Sequence, residues 1–289
     1  MADLPRWKPD PIPAIHPVPE FAVSGARAAV YERTKTGLGV PWMGVVAMAF
    51  AHYPQFYDTL WSAMEPITGT KAFEKACRSL RDVAEREAEA LEPSPLVSQL
   101  SAHGYGAQEI EDIRACNEIF SSGNMPYVLM ATLARYLLEG NAWLGDGDLD
   151  RITAPRPNLP KPPLIEPHHA SDDLAALYDD LRAALGLPFV NTDYRAFARW
   201  PSYFTMAWSN LSPRLSEALY ANKVERVHLA AVDLAASLPN ETGITSDALR
   251  DAATSDASFE EVLSVVRLFQ WLLPGLALNV AFLRRQLQC

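Results

Sequence analysis

Cysteine and positive charge are both scarce in this sequence. The 289 residues include three cysteines, Cys77, Cys116 and Cys289, which lie far apart and form no C-x-x-C pair. This spacing favours reduced structural thiols over a redox or metal-binding role. Lys and Arg total 25 against 35 Asp and Glu, which gives a formal net charge of −10 at pH 7. Because no basic cluster is present, a nucleic-acid or anionic-membrane partner is not expected.

Long apolar runs and common catalytic motifs are also missing. The longest runs, VPWMGVVAMAFA and WLLPGLALNVAFL, are shorter than the roughly 20 residues that cross a bilayer, so they predict core helices. The proline-rich stretch MADLPRWKPDPIPAIHPVPE has no apolar segment of the signal-peptide type, and we therefore expect a cytoplasmic protein. No G-x-S-x-G, P-loop or G-x-G-x-x-G sequence supports serine-hydrolase, nucleotide-binding or Rossmann chemistry. His168 and His169 lack a matching acid or cysteine cluster, so no metal site is predicted.

Helical periodicity dominates what is present, and strand alternation is nearly absent, which predicts an all-α fold. Hydrophobic residues make up 49% of the chain and can fill a substantial core. The chain also contains an internal repeat. Residues 28–66 align without gaps with residues 175–213, and thirteen of the 39 aligned pairs are identical. Composition alone would give about three identical pairs, so the repeat indicates a duplication.

The repeat predicts how the chain is organised. Residues 1–24 form an extended segment, residues 25–142 a first helical repeat, residues 143–170 a proline-rich linker and residues 171–289 a second helical repeat. Six prolines between positions 154 and 167 exclude a helix interior or a central strand from that part of the linker. Two similar helical halves are expected to pack as a pseudo-twofold pair, with the active site in the cleft between them.

Helix ends can be predicted from the shared frame of the two copies. Gly39 and Gly186 follow amphipathic segments and are expected to stop a helix, because glycine favours the position after a helix end. Pro41 and Pro188 are expected to start the next helix, since proline suits a first helical turn. The next proline in each copy is expected to end that short helix.

Asp193 is an acid on the apolar face of a predicted helix, and Phe197 lies on the same face. The aligned position of the first copy is Val46, so the local fold does not require a carboxylate there. Burying a carboxylate among apolar side chains carries a desolvation cost and raises its pKa, which suits a general base. The alternative is a helix cap made by Asp193 or by Asn191 or Thr192 before it.

A second polar cluster, SSGNMPY, places Asn124 just ahead of Pro126 and a strongly helical run. The structural explanation is the start of a helix, with asparagine closely followed by proline. As a functional residue, Asn124 could hydrogen-bond a water molecule through its amide, and Tyr127 could point in from the first turn. The spacing of these residues leaves both interpretations open.

At these residues the chain resembles the group I 2-haloacid dehalogenases, an all-helical family acting on D-, or on both D- and L-, 2-haloalkanoic acids. The resemblance covers nearly the whole chain. It rests on LGVPW at 38–42, TKAFE at 70–74, GN-x-x-Y at 123–127 and DYRAFARWP at 193–201. One departure is SSGNMP, where the family often has an aromatic-Gly-Asn-Pro-Lys run.

The resemblance implies a catalytic pair and an aromatic pocket. Asp193 matches the essential acid of the family, which activates a water molecule that attacks the halogen-bearing carbon directly. Asn124 matches the amide that helps to hold this water. Trp42 and Tyr127 match aromatic residues that line the substrate pocket.

Four further positions complete the candidate site. Asn191 occupies the position associated with stereochemistry, and asparagine there resembles the D-specific type. Thr192 is assigned to substrate binding with it. Thr70 and Glu74 match a Thr-x-x-x-Glu pair that supports the site.

The implied reaction is hydrolysis of short 2-haloalkanoic acids to 2-hydroxy acids with inversion, by an enzyme that needs no metal or organic cofactor. Its partners would be the substrate and water, and the resemblance implies a homodimer. One alternative is a relative that binds or converts another small carboxylate without dehalogenation. A helical peroxidase-like redox protein is a weaker alternative, because the chain lacks a C-x-x-C pair.

Overall fold

The computed structural model describes residues 4–153 and 159–288. Within these ranges the chain forms α-helices and three 3-10 helices, and no strand. The α-helices are α1 (Gly25–Leu38), α2 (Val45–Phe50), α3 (Pro54–Thr68), α4 (Lys71–Glu89), α5 (Val97–Ala102), α6 (Ala107–Leu138), α7 (Asp172–Leu185), α8 (Thr192–Phe197), α9 (Pro201–Leu211), α10 (Ala218–Ser237), α11 (Ser246–Asp256) and α12 (Phe259–Arg285). The 3-10 helices cover Glu20–Ala22, Pro167–His169 and Ser212–Ser216. The predicted all-α class is confirmed.

Parts of the predicted organisation fall outside the described ranges. These parts are the start of the segment 1–24, residues 154–158 of the linker, and Cys289. The described part of the linker is not helical apart from the 3-10 turn at 167–169. Among the described residues, Cys77 and Cys116 form no disulfide bond.

The helix stops at the two glycines are confirmed. Gly39 follows α1 with φ of 68°, and Gly186 follows α7 with φ of 62°. Both values lie in the left-handed region, where a side chain beyond Cα would be strained. The backbone N–H groups of both glycines donate to carbonyls of the preceding turn, which closes each helix end.

The predicted helix starts at Pro41 and Pro188 are wrong. α2 begins at Val45 and α8 at Thr192, four residues later in each copy. Near Pro41 a backbone donor bonds to a side chain instead of to a helix carbonyl: the N–H of Met43 donates to Glu20 Oε1 at 3.1 Å. The prolines expected to end the short helices instead occupy the first turns of α3 and α9, where a fixed φ is favourable.

Equivalent elements recur 147 residues apart in the described chain. α1 and α7 each have 14 residues, and α2 and α8 each have six. The hydroxyl of Tyr31 donates to Val18 O at 2.8 Å, and that of Tyr178 donates to Ile165 O at the same distance. These correspondences support the duplication, while the pseudo-twofold arrangement of the repeats stays a prediction.

The chain divides into two compact units, each assembled from three segments. The first comprises Met1–Leu80, Gly123–Pro160 and His228–Pro274, and the second comprises Arg81–Ser122, Lys161–Val227 and Gly275–Cys289. Each unit contains segments of both predicted repeats; four of the five boundaries fall inside α4, α6, α10 and α12, and the fifth follows Pro160 in the linker. The repeats are defined by sequence and the units by spatial proximity, so the repeat boundaries also stay a prediction.

Within the first unit, a buried polar network holds the N-terminal segment. His228 Nε2 lies 2.6 Å from Leu4 O, and Gln270 Nε2 lies 2.8 Å from His228 Nδ1. Since a carbonyl only accepts, His228 carries its proton on Nε2 and accepts from the glutamine at Nδ1. Arg135 Nη1 donates to Gln270 Oε1 and to Pro5 O. Burial lowers the pKa of His228 to about 4, so the imidazole is neutral near pH 7.

The long helix α12 supplies much of the core. By length and composition it could cross a membrane, but 89% of its most apolar 18-residue window is buried inside the protein. The run WLLPGLALNVAFL lies within α12. Its prediction as a core helix is therefore confirmed.

Candidate active site

The loop that carries Trp42 is fastened to α6 within the first unit. The hydroxyl of Tyr127 donates to Trp42 O at 2.7 Å and accepts from the N–H of Gly44 at 2.8 Å. Both aromatic side chains are buried, with ring centroids 6.4 Å apart. Burial raises the pKa of Tyr127 well above its ordinary value, so the hydroxyl keeps its proton and remains a donor. The polar end of Tyr127 is thus occupied by the loop backbone, and its ring is the part available to line a pocket.

Two glycines allow this close packing. A Cβ atom at Gly123 would lie 2.6 Å from Cη2 of Trp42, and one at Gly44 would lie 2.8 Å from the ring of Tyr127. Neither distance is possible without displacing the aromatic ring. The glycine of the GN-x-x-Y sequence therefore lets the indole approach the backbone of α6.

Asn124 lies in the interior of α6, with 4% of its surface exposed. The helix continues through Pro126, so the interpretation of SSGNMPY as a helix start is wrong. Packing overrides the local preference here, because most residues of this stretch of α6 are buried. On the same face of α6, Phe120 lies one turn before Asn124.

Thr70 and Glu74 have different surroundings, although both belong to the first unit. Thr70 is fully buried at the start of α4, where its hydroxyl accepts from the N–H of Phe73 at 3.2 Å and donates to Ile67 O at 2.7 Å. It therefore caps α4. Glu74 is solvent-exposed and forms an ion pair with Arg78 at 2.7 Å. A supporting role of Thr70 and Glu74 in catalysis stays a prediction.

In the second unit, α8 presents Asp193 as its second residue. Only 2% of this residue is exposed, although it is an acid. The residue before the helix is Asn191, whose side chain makes no capping hydrogen bond. The capping interpretation therefore does not account for Asp193, which lies inside the helix rather than at its cap.

Apolar and aromatic side chains flank the helix that carries Asp193. Phe197 packs edge-on against Phe120 of α6, with ring centroids 5.7 Å apart. Tyr194 contacts Phe204 and Trp208, with ring centroids 6.0 Å apart in each pair. Apolar surroundings of this kind strengthen the electrostatic interactions of a charged group that is buried in them.

The charge of Asp193 affects the pKa of Cys116 in α6. Burial, together with the negative charge of Asp193, raises the pKa of the Cys116 thiol to about 12. The thiol is therefore protonated at neutral pH. No pattern in the sequence indicates this pairing, because it depends on how α6 and α8 pack.

Asn191 and Arg195 each contain a buried atom without a hydrogen-bond partner, namely Asn191 Oδ1 and Arg195 Nε. The whole Asn191 residue is 6% exposed. A buried acceptor left without a donor costs about 1–3 kcal/mol, so a group that donates to it on binding would gain that amount. The observation argues against a capping role for Asn191, because a capping side-chain oxygen would accept from a backbone N–H of α8.

The structure groups the predicted site residues by unit. Trp42 and Tyr127 contact each other in the first unit, which also contains Asn124. Asn191, Thr192 and Asp193 are consecutive in the second unit. Among residues 4–153 and 159–288, no three His, Cys, Asp or Glu side chains are grouped so that they could hold a metal ion.

Comparisons with known proteins identify the family. No family model matches the sequence. An (R)-2-haloacid dehalogenase from Rhizobium sp. (strain NHG3) is 43% identical over 249 residues, which cover 86% of this chain and 97% of the relative. An (R)-2-haloacid dehalogenase from Pseudomonas putida is 34% identical over 281 residues, covering 94% of this chain and 92% of the relative. The solved structure of a D-2-haloacid dehalogenase mutant in complex with D-2-CPA has a TM-score of 0.90, 32% sequence identity and 99% coverage of both chains. The chain therefore belongs to the group I 2-haloacid dehalogenases.

Proposed function

We propose that this enzyme hydrolyses short D-2-haloalkanoic acids to 2-hydroxy acids by direct attack of a water molecule. The observation that carries the proposal is the 43% identity to an (R)-2-haloacid dehalogenase across 86% of the chain. The structure supports it with a buried acid, Asp193, at a position where the first copy has Val46. A buried charge that the local fold does not need indicates a chemical role.

In the proposed mechanism Asp193 is the general base. Its carboxylate accepts a proton from water while the water oxygen attacks the carbon that bears the halogen. The carbon–halogen bond breaks as the carbon–oxygen bond forms, halide leaves with the bonding electrons, and the configuration at carbon inverts. The geometry requires the water to be held opposite the leaving halide, which the amide of Asn124 would provide.

Substrate recognition would combine an apolar pocket with a few polar contacts. The rings of Trp42 and Tyr127 would accept the halogen and the alkyl group, and the bridge from Tyr127 to the loop backbone keeps the indole in place. Asn191, which is buried directly before α8, would select the D-enantiomer. Backbone N–H groups and Thr192 would bind the substrate carboxylate. No cofactor takes part in this mechanism.

The resemblance also motivates the proposal of a homodimer, which sedimentation of the purified protein would test. A cytoplasmic location stays a proposal.

A second candidate function rests on the departure at residues 121–126, where SSGNMP replaces the usual family run. The hydroxyl of Ser122 accepts from Arg81 Nη1 at 2.9 Å, so a polar contact stands where the family often has an aromatic side chain. Such a site could bind or convert another small carboxylate. Thermal stabilisation by non-halogenated acids, without turnover of halogenated ones, would favour this function.

The direct test is halide release from separated D- and L-2-chloropropionate. We expect release from the D-enantiomer by the wild type and none by Asp193→Asn. The matched control is Asp173→Asn, because Asp173 is an exposed acid in the first turn of α7. A wild-type protein inert on all short 2-haloacids would refute the proposed function, and an active Asp193→Asn variant would refute the role of Asp193.

A further inference from the structure

We propose that the ion pair between Glu166 and Arg195 positions the first turn of α8, and with it Asp193, for catalysis. This inference rests on the proposed function. Arg195 Nη1 donates to both carboxylate oxygens of Glu166, at 2.8 and 2.7 Å, and Nη2 donates to Thr192 Oγ1 at 3.2 Å. The guanidinium therefore connects the linker to the residue immediately before Asp193.

α8 needs such external support because of its length. It has only six residues, and an isolated helix of that size is not stable in water. The segment before it also lacks a capping hydrogen bond from Asn191. Small movements of the helix would displace the Asp193 carboxylate from the water that it activates, and a misplacement of about 1 Å can reduce a rate on the order of a hundredfold.

A comparison of the two copies distinguishes the backbone contact that supports this helix from the ion pair. In the second copy the N–H of Ile165 donates to Arg195 O at 2.9 Å, and in the first copy the N–H of Val18 donates to Met48 O at 3.0 Å. This backbone contact is present in both copies, so it does not depend on the ion pair. The aligned partner of Arg195 is Met48, so the ion pair to the helix occurs only in the copy that carries the acid.

The first copy uses a carboxylate differently. Glu20, which begins the 3-10 helix in the corresponding N-terminal segment, accepts from the N–H of Met43 at 3.1 Å and pairs with Lys35 at 3.0 Å. It thus holds the loop of Trp42 rather than α2. In each copy a carboxylate of the extended segment holds the part of the chain that contributes site residues.

The Glu166–Arg195 pair is well suited to holding a fixed geometry. The side chains are 37% and 16% exposed respectively, so both are partly shielded from water. Nη1 bonds to Glu166 while Nη2 bonds to Thr192, so the planar guanidinium joins the two residues in a fixed geometry, which the single nitrogen of a lysine could not do. Removing Arg195 breaks the contacts to both Glu166 and Thr192, and removing Glu166 leaves Arg195 without its contact to the linker, while the backbone contact of Ile165 remains.

The test compares kinetics and stability of Glu166→Gln and Arg195→Met with those of the wild type, on D- and L-2-chloropropionate. We expect kcat on the D-enantiomer to fall on the order of tenfold or more, with a changed ratio of D to L rates. The melting temperature should stay close to that of the wild type, because the backbone contact persists. Arg195→Lys keeps the positive charge but has only one nitrogen, and it should recover part of the kcat that Arg195→Met loses. The double variant should be no slower than the slower single variant, because both changes break one unit.

The control is Glu217→Gln, which removes a more exposed ion pair with Arg214 at 3.4 Å in the same unit. We expect wild-type kinetics for it. Wild-type kcat and enantiomer ratio in both Glu166→Gln and Arg195→Met would overturn the positioning role and leave the proposed function intact. Lower melting temperatures with unchanged kcat would also overturn it, since that result indicates structural support alone. A wild type without halide release would remove both proposals.

Discussion

Replacing Tyr127 with phenylalanine tests how the loop of Trp42 is held. The change removes one hydroxyl that donates to Trp42 O and accepts from the N–H of Gly44. Both backbone groups belong to buried residues, so each would be left without a partner. An unsatisfied buried group costs about 1–3 kcal/mol, and the loop can relax in part, so we expect a loss of about 2–4 kcal/mol in the free energy of unfolding.

The assay is equilibrium unfolding in urea, followed by halide release at several substrate concentrations. We expect a lower urea midpoint and a raised KM, because the freed loop no longer fixes the indole. The matched control is Tyr136→Phe on the same helix, where an exposed hydroxyl donates to Ala142 O at 3.3 Å, and the change should stay within about 0.5 kcal/mol. An unchanged midpoint in Tyr127→Phe would refute the idea that the bridge stabilises the loop.

Three further predictions concern Gly123, Cys116 and His228. Gly123→Ala places a Cβ atom 2.6 Å from Trp42, and we expect a raised KM together with altered tryptophan fluorescence. The pKa of about 12 for Cys116 predicts very slow labelling of this thiol by iodoacetamide at pH 8. Asp193→Asn should accelerate the labelling at pH 9–10, because it lowers the pKa of Cys116. Equal labelling rates in the wild type and the variant would contradict this. His228 has a pKa of about 4 when folded and near 6.5 when unfolded, so stability should fall by up to about 3 kcal/mol as pH drops from 6.5 to 4. In urea unfolding, His228→Gln should lose this dependence.

The parts of the fold that the sequence predicts are those set by local chemistry. The periodicity of apolar residues identifies the helices, and the glycines at 39 and 186 identify helix ends, because only glycine adopts a positive φ without strain. The predicted starts at Pro41 and Pro188 are wrong since proline fits either a first turn or an extended segment. Contacts distant in sequence decide between these two, such as the bond from Met43 N–H to Glu20.

The site is predictable where the duplication offers an internal comparison. Asp193 stands against Val46 in the other copy, and this contrast is visible in the sequence alone. Arg195 against Met48 is a contrast of the same kind, and it could have identified the arginine. Its partner Glu166 lies in the linker, so the pair itself depends on packing that the sequence does not encode locally. The position of Asn124 inside a helix is not predicted, because proline at 126 usually starts a helix rather than lying within one.

The central claim is that water, and not the carboxylate of Asp193, attacks the halogen-bearing carbon. A single turnover in heavy-oxygen water, with enzyme in excess over D-2-chloropropionate, measures this directly. We predict that the heavy oxygen enters the 2-hydroxy acid and that peptides containing Asp193 keep their normal mass. Heavy oxygen in Asp193, with an unlabelled product hydroxyl, would contradict this claim, because that pattern requires an ester between the enzyme and the substrate.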